Sequence, residues 1–179
     1  LKLSRGLGDV YKRQDELGLA MIEQPLAYDD LIFHAELQSK LKTPICLDES
    51  ITSVDRARKA MDIDACRYIN IKTSRVGGLT NAIEIHDLCQ DFGIPVWVGG
   101  MLESAVGQSF SLALATMPNV GYPNDIFPSR RFYQVDISAP EIVLSSPGII
   151  EAPRSLGAGF APDFSKLVSK SVKSASIDA

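Results

Sequence analysis

Three short apolar runs each end in an ionisable residue, and they recur at the length of one strand plus one helix. Leu19-Ala20-Met21-Ile22 leads to Glu23, Pro44-Ile45-Cys46-Leu47 to Asp48, and Tyr68-Ile69-Asn70-Ile71 to Lys72. Glu23 and Asp48 stand 25 positions apart, Asp48 and Lys72 24. A fourth run, Ile94-Pro95-Val96-Trp97-Val98, ends at Gly99-Gly100 after a similar interval. Strands apolar at nearly every position and separated by helices are parallel strands covered on the outside. Right-handed crossovers then place every C-terminal strand end on one side. The expected fold is α/β, with Glu23, Asp48 and Lys72 at one rim, as (β/α) barrels build their active sites.

The intervening segments read as helices. Asp29 or Asp30 can cap one that carries Phe33, Leu37 and Leu41, with Lys40 and Lys42 at its C-terminal end. Ser53 can cap a second, with Val54, Ala57 and Met61 on one face. A third follows Gly77-Gly78, with Thr80 as cap, Ile85, Leu88 and Phe92 inward, and Gly93 at the C′ position. A fourth is expected over 104–117 with Val106, Phe110, Ala113 and Met117 inward. From about Gly121 the pattern changes to short extended pieces, with strands expected at Gln134-Val135-Asp136-Ile137 and Glu141-Ile142-Val143-Leu144. Residues 1–14 show no useful amphipathic period, and Asp9-Val10-Tyr11-Lys12-Arg13-Gln14 resembles the translated end of a transposon used in shotgun libraries. The expected organisation is a non-native segment over 1–14, barrel βα units over 15–120, a last strand and return over 121–165, and a disordered tail over 166–179.

A net charge of −4 offers no basic surface for nucleic acid. No apolar run approaches the roughly 18 to 20 residues of a membrane span, and no leader pattern opens the sequence. Cys46, Cys66 and Cys89 are odd in number, widely spaced and set in apolar patterns, as expected of reduced core cysteines in a cytoplasmic protein.

Glu23 and Asp48 on adjacent strand ends are two hard oxygen donors, which suit Mg²⁺ or another divalent metal such as Mn²⁺. Each could equally be a hydrogen-bonded carboxylate at a barrel mouth without a metal. Glu49 turns away from Asp48 by alternation and is expected behind the metal ligands, supporting them. Lys72, ending a buried run, is the candidate acid–base residue; its plainer explanation is a lysine snorkelling to solvent.

Taken together, Ile22-Glu23-Gln24-Pro25-Leu26, Pro44-Ile45-Cys46-Leu47-Asp48-Glu49-Ser50, Asn70-Ile71-Lys72 with Arg75-Val76-Gly77-Gly78, and Pro95-Val96-Trp97-Val98-Gly99-Gly100-Met101-Leu102-Glu103 resemble the enolase superfamily. Within it they are similar to the o-succinylbenzoate synthase / N-succinylamino acid racemase group. The resemblance covers roughly residues 17–164. Thr73-Ser74 departs from the Pro-Gly that follows this lysine in many relatives, and Ser104-Ala105-Val106-Gly107-Gln108 replaces a stretch bearing more glycine and arginine.

The resemblance implies the C-terminal half of a (β/α)7β TIM-like barrel, with a C-terminal segment returning toward an absent capping domain. It implies Glu23 and Asp48 as the second and third of three carboxylates on one Mg²⁺, and Lys72 as a catalytic lysine opposite a Lys-x-Lys pair. Gly100, Met101 and Leu102 match the segment that lines the substrate pocket. The implied activity is a lyase reaction, Mg-dependent dehydration of a small-molecule carboxylate through an enediolate in menaquinone biosynthesis. N-succinylamino acid racemase or dipeptide epimerase activity is the alternative, and an inactive half-barrel interaction protein is the alternative outside enzymes. The first carboxylate and the Lys-x-Lys pair are expected on upstream strands, so this chain alone is expected to be inactive and the full-length protein a homo-oligomer.

Overall fold

Ile22–Glu23 (β1), Ile45–Leu47 (β2), Tyr68–Ile71 (β3) and Val96–Val98 (β4) pair in parallel, in chain order, in the computed structural model, which describes residues 5–173. Residues 1–4 of the expected non-native segment and 174–179 of the expected disordered tail lie outside the described residues. The helices Leu31–Gln38 (α2), Val54–Asp62 (α3) and Leu79–Asp91 (α4) separate the strands, after an N-terminal helix Arg5–Asp15 (α1). Strand, helix, parallel strand is the order anticipated from the apolar runs.

The chain divides into two compact units, Leu1–Gly99 with Leu114–Asp125, and Gly100–Ala113 with Ile126–Ala179. In the first, the register pairs Glu23 with Cys46, Cys46 with Tyr68, Leu47 with Ile69, and Asn70 with Trp97. Successive side chains of a strand point to opposite faces. Ile45, Leu47, Ile69, Ile71, Val96 and Val98 therefore share one face, and all six are fully buried. Glu23, Cys46, Tyr68, Asn70 and Trp97 share the other, and the same parity carries on to Asp48, Lys72 and Gly99. An extended segment continues the sheet beyond β4, where Val120 bridges Val96 and Asp125 bridges Gly99. Tyr122 on this segment meets Tyr68 and Trp97 edge to face, with centroids 6.4 and 6.2 Å apart.

Local sequence chemistry sets the helix ends. Asp30 caps α2 by accepting the Phe33 N–H at 2.9 Å, and Ser53 caps α3 through the Arg56 N–H. At the end of α4, the N–H of Gly93 (φ +67°) bonds to Gln90 and that of Ile94 to Cys89, the paired closure that a left-handed C′ residue makes. Thr80, expected as the α4 cap, lies inside the helix. The cap is Gly78, whose φ of +114° a side chain would resist. Phe92, expected inward, is the C-cap and is exposed. Lys40 stands directly after the α2 C-cap, Ser39, and pairs with Glu36 one turn back. In α1 Tyr11 is buried, and its hydroxyl donates to the Pro25 carbonyl.

His34 and His86 are both buried helix-packing residues. His34 Nε2 accepts the Leu26 N–H, which leaves Nδ1 to donate to the Asp30 carbonyl. Burial holds this imidazole below its ordinary pKa, partly offset by its bond to Asp30. Cys46, Cys66 and Cys89 are free and buried, as expected of core cysteines, and burial pushes the Cys66 thiol up to about 12. Among the described residues no helix is long and apolar enough to cross a membrane.

The second unit takes its order from one carboxylate. The helix Ala105–Leu114 (α5) presents its first N–H groups to residues far along the chain: Ala105 N–H donates to Asp136 Oδ2 at 2.9 Å and Val106 N–H to Ser138 Oγ at 3.2 Å. Asp136, only 2% exposed, also accepts from the Ser129 hydroxyl and from the Ser138 N–H and hydroxyl. A carboxylate suits this position because the N-terminal end of a helix carries partial positive charge. Ser138–Ala139 (β5) pairs antiparallel with Ala161–Pro162 (β6), and a helix Phe164–Lys170 (α6) follows, capped by Asp163. The strands expected at 134–137 and 141–144 do not form. The first segment is spent on Asp136, whose side chain is committed to the helix end rather than to one face of a ladder. The buried positions of α5 are Ala105, Gln108, Ser109, Ser111, Leu112 and Leu114, while Phe110 is exposed. Small polar residues occupy much of that inward face, which is why an apolar periodicity misplaced it.

Burial would raise the Asp136 carboxyl, but the hydrogen bonds from Ser129, Ser138 and Ala105 outweigh it, and its pKa lies below the ordinary value. Its stabilisation is thus complete above the unfolded value of about 3.9 and is lost as pH falls through the lower folded value. Asp136→Asn is expected to destabilise the chain by about 1–3 kcal/mol at neutral pH. In urea denaturation the gap from wild type should shrink below about pH 4.

Candidate active site

Asp48, immediately after β2, is 4% exposed and holds two cations. Lys72 Nζ donates to its Oδ2 at 2.9 Å, and Arg75 Nη1 donates to its Oδ1. Lys72 comes from the end of β3. Arg75 follows within a single turn in which the Arg75 and Val76 N–H groups both bond to the Lys72 carbonyl. That turn runs into Gly77 and Gly78, both at positive φ, and so folds the guanidinium back over the strand end. A buried carboxylate is stable only when its charge is compensated, and here the end of the neighbouring strand β3 supplies both cations.

Glu23 ends β1 and is exposed. Its Oε1 accepts from Asn70 Nδ2 at 2.8 Å. With the sheet ordered β1-β2-β3, this bond passes over β2. Gln24 next door sits at φ +40° and organises the loop after β2. Its Oε1 accepts the Asp48 and Ser50 N–H groups, at 2.9 and 3.2 Å, and its Nε2 donates to Ser50 Oγ at 2.8 Å. Glu49 is exposed. Gly100, Met101 and Leu102 belong to the second unit, where Met101 and Leu102 are exposed and the Leu102 carbonyl accepts from the Tyr133 hydroxyl at 2.8 Å.

Gly99 makes the rim possible. A Cβ built there would lie 2.3 Å from Asn70 Oδ1, 2.6 Å from Lys72 Cε and 2.8 Å from Asn70 Nδ2. The Asn70 amide and the Lys72 chain occupy the space that a side chain at 99 would take.

Glu23 and Asp48 are oxygen donors of the kind a hard divalent cation takes. Asn70 Oδ1, buried without a hydrogen-bond partner, is a further oxygen on the same face. In kind, this donor set suits Mg²⁺. In number it falls short, for among the described residues no three His, Cys, Asp or Glu side chains gather into a group that could hold a metal ion.

Lys72 and Asp48 thus come together from neighbouring strand ends, while Glu23, at the end of β1, is joined to Asn70. Asn70, Arg75, Gln24 and Gly99 join them without an assigned role in the sequence pattern. Asn70 was findable, because it lies two residues before Lys72 on a strand and so shares its face.

Residues 8–166 match the family model described as enolase C-terminal domain-like. The chain is 54% identical over 149 residues to an o-succinylbenzoate synthase of Geobacillus kaustophilus, covering 83% of this chain and 40% of that one. It is 47% identical over 148 residues to an N-succinylamino acid racemase of Thermus thermophilus, with the same 83% and 40% coverage. A solved enolase-superfamily structure from Listeria innocua superposes with a TM-score of 0.87 at 42% identity, covering 96% of this chain and 46% of that one. The chain therefore spans about 40% of the length of the curated relatives it matches.

The Asp48 pairing has a stability consequence. Asp48→Asn leaves Lys72 and Arg75 facing each other without the carboxylate. The expected loss is about 3 kcal/mol, at the low end for a broken buried pair because the two cations keep some exposure. Glu23→Gln, at an exposed position, should cost no more than about 0.5 kcal/mol. Urea denaturation of both variants measures the contrast.

Proposed function

Because the chain belongs to the enolase C-terminal domain-like family, we propose that it forms part of the catalytic rim of an o-succinylbenzoate synthase, a lyase acting on a small cyclic carboxylate. The observation that carries the reading is the Lys72–Asp48–Glu23 constellation on consecutive parallel strand ends. The identity to the Geobacillus kaustophilus synthase supports the choice of chemistry.

In this reading Glu23 and Asp48 supply two of the oxygen ligands of a Mg²⁺ ion, and further ligands come from a longer protein that includes this chain. When bound, such a metal neutralises charge on the substrate carboxylate, which lowers the cost of losing the neighbouring proton. Lys72 presents an ammonium group at the rim, oriented by Asp48. Its charge stabilises the negative charge that develops on the substrate as the proton leaves. Arg75 keeps Asp48 fixed from the other oxygen, so that Lys72 and the carboxylate keep one geometry. Gly100, Met101 and Leu102 would border the substrate, and Glu49 would act from behind the ligands.

The identity to the Thermus thermophilus racemase favours a second activity on the same residues, exchange of the α-proton of an N-succinylamino acid. There Lys72 would itself carry the proton on one face of the substrate.

The test is dehydration of the cyclohexadiene carboxylate precursor by the longer protein, with and without Mg²⁺. Lys72→Ala should lower turnover by roughly 10²- to 10⁴-fold with the far-UV circular dichroism unchanged. Retained turnover removes Lys72 from the mechanism. For the racemase reading, the α-proton of an N-succinylamino acid should exchange with deuterated solvent, and the same variant should stop the exchange.

A further inference from the structure

Asn70 is 1% exposed, and its amide is only half satisfied. Nδ2 donates to Glu23 at 2.8 Å, while Oδ1 is buried with no hydrogen-bond partner. A buried acceptor without a partner costs roughly 1–3 kcal/mol, so the amide is poorly justified as packing. An apolar side chain would fill the same interior without that cost. The position also constrains its neighbour, since the amide lies where a Cβ at Gly99 would have to be.

We infer that Asn70 is a positioning residue of this site. It fixes one oxygen of Glu23 so that the other faces the rim, and Gly99 leaves it the space to do so. The inference rests on the proposed function in one respect, that Glu23 is a metal ligand; the Asn70–Glu23 bond itself stands apart from it. A carboxylate at an exposed strand end has several rotamers open to it, and a single donor on a buried, rigid strand removes that freedom. Groups that orient metal ligands in this way change metal affinity by roughly 10- to 100-fold when removed.

The experiment uses the 179-residue chain, labelled with ¹⁵N, and Mn²⁺ as the probe. The Asn70 side-chain NH₂ resonance, identified by its loss in Asn70→Leu, should shift when Glu23 is changed to Gln, with no metal present. An unmoved resonance overturns the inference. Wild type, Asn70→Leu and Gly99→Ala are then titrated with Mn²⁺, with free Mn²⁺ counted by electron paramagnetic resonance. Both variants should bind roughly 10- to 100-fold more weakly, and Asn70→Leu should melt no lower than wild type. Gly99→Ala keeps both side chains and displaces the amide, with Lys72 Cε crowded as well; it stands in for Asn70→Leu if that variant does not fold. Equal affinity in a folded variant overturns the inference, and so does weak binding matched by a proportionate loss of stability. If the 179-residue chain binds no Mn²⁺, the metal needs the further ligands of the longer protein, and the resonance shift alone decides whether Asn70 holds Glu23.

Discussion

The parallel register of four short strands is the constraint on which the site depends. Pairing Glu23 with Cys46, Leu47 with Ile69 and Asn70 with Trp97 assigns every residue of the sheet to one face or the other. One face is aliphatic, and buried apart from the half-buried Ile22. The other carries carboxylates, an amide, a lysine and aromatic rings. A slip of one residue in any strand would exchange these sets, burying charge against helices and exposing isoleucine. The same pairing that completes the core therefore brings Asp48 to Lys72 and Asn70 to Glu23.

This division explains how much of the site was legible in the sequence. Residues ending apolar runs could be read directly, because strand ends are where a buried run gives way to polar chemistry. Asn70 was obscured because it sits inside such a run, where a polar residue breaks the pattern without announcing a role. Arg75 was obscured for another reason. Its contact with Asp48 depends on a turn whose shape is set by Gly77 and Gly78, and a loop conformation leaves no periodicity to read. Gln24 combines both difficulties, with a positive φ at a non-glycine position and hydrogen bonds to a segment 24 to 26 residues away.

The second unit was read less well, and for a physical reason. Its order rests on side chain to backbone bonds around Asp136 rather than on a repeating apolar face. The bonds to the start of α5 join residues 31 and 32 positions apart, and the cluster needs only one carboxylate and two hydroxyls, here Asp136, Ser129 and Ser138. Hydrophobic periodicity predicts elements that pack by stripe. It is silent where a helix end is satisfied by a distant residue, and it misphases α5, whose inward face is largely Ser and Gln. In the first unit the four strands and α2 to α4 fell where the apolar pattern placed them, although Phe92 turned outward and α1 was not anticipated.

The missing side chain at Gly99 also bears on how such a rim can change over time. Positions 70, 72 and 99 share one volume, so they do not vary independently. A methyl group at 99 pushes residues 70 and 72 out of place unless one of them has already been shortened or redirected. The reverse path is open, since a smaller residue at 70 leaves room behind it. The order of substitutions therefore matters as much as their identity, and a lineage that gives up the amide first can acquire side chains at 99 that this one cannot.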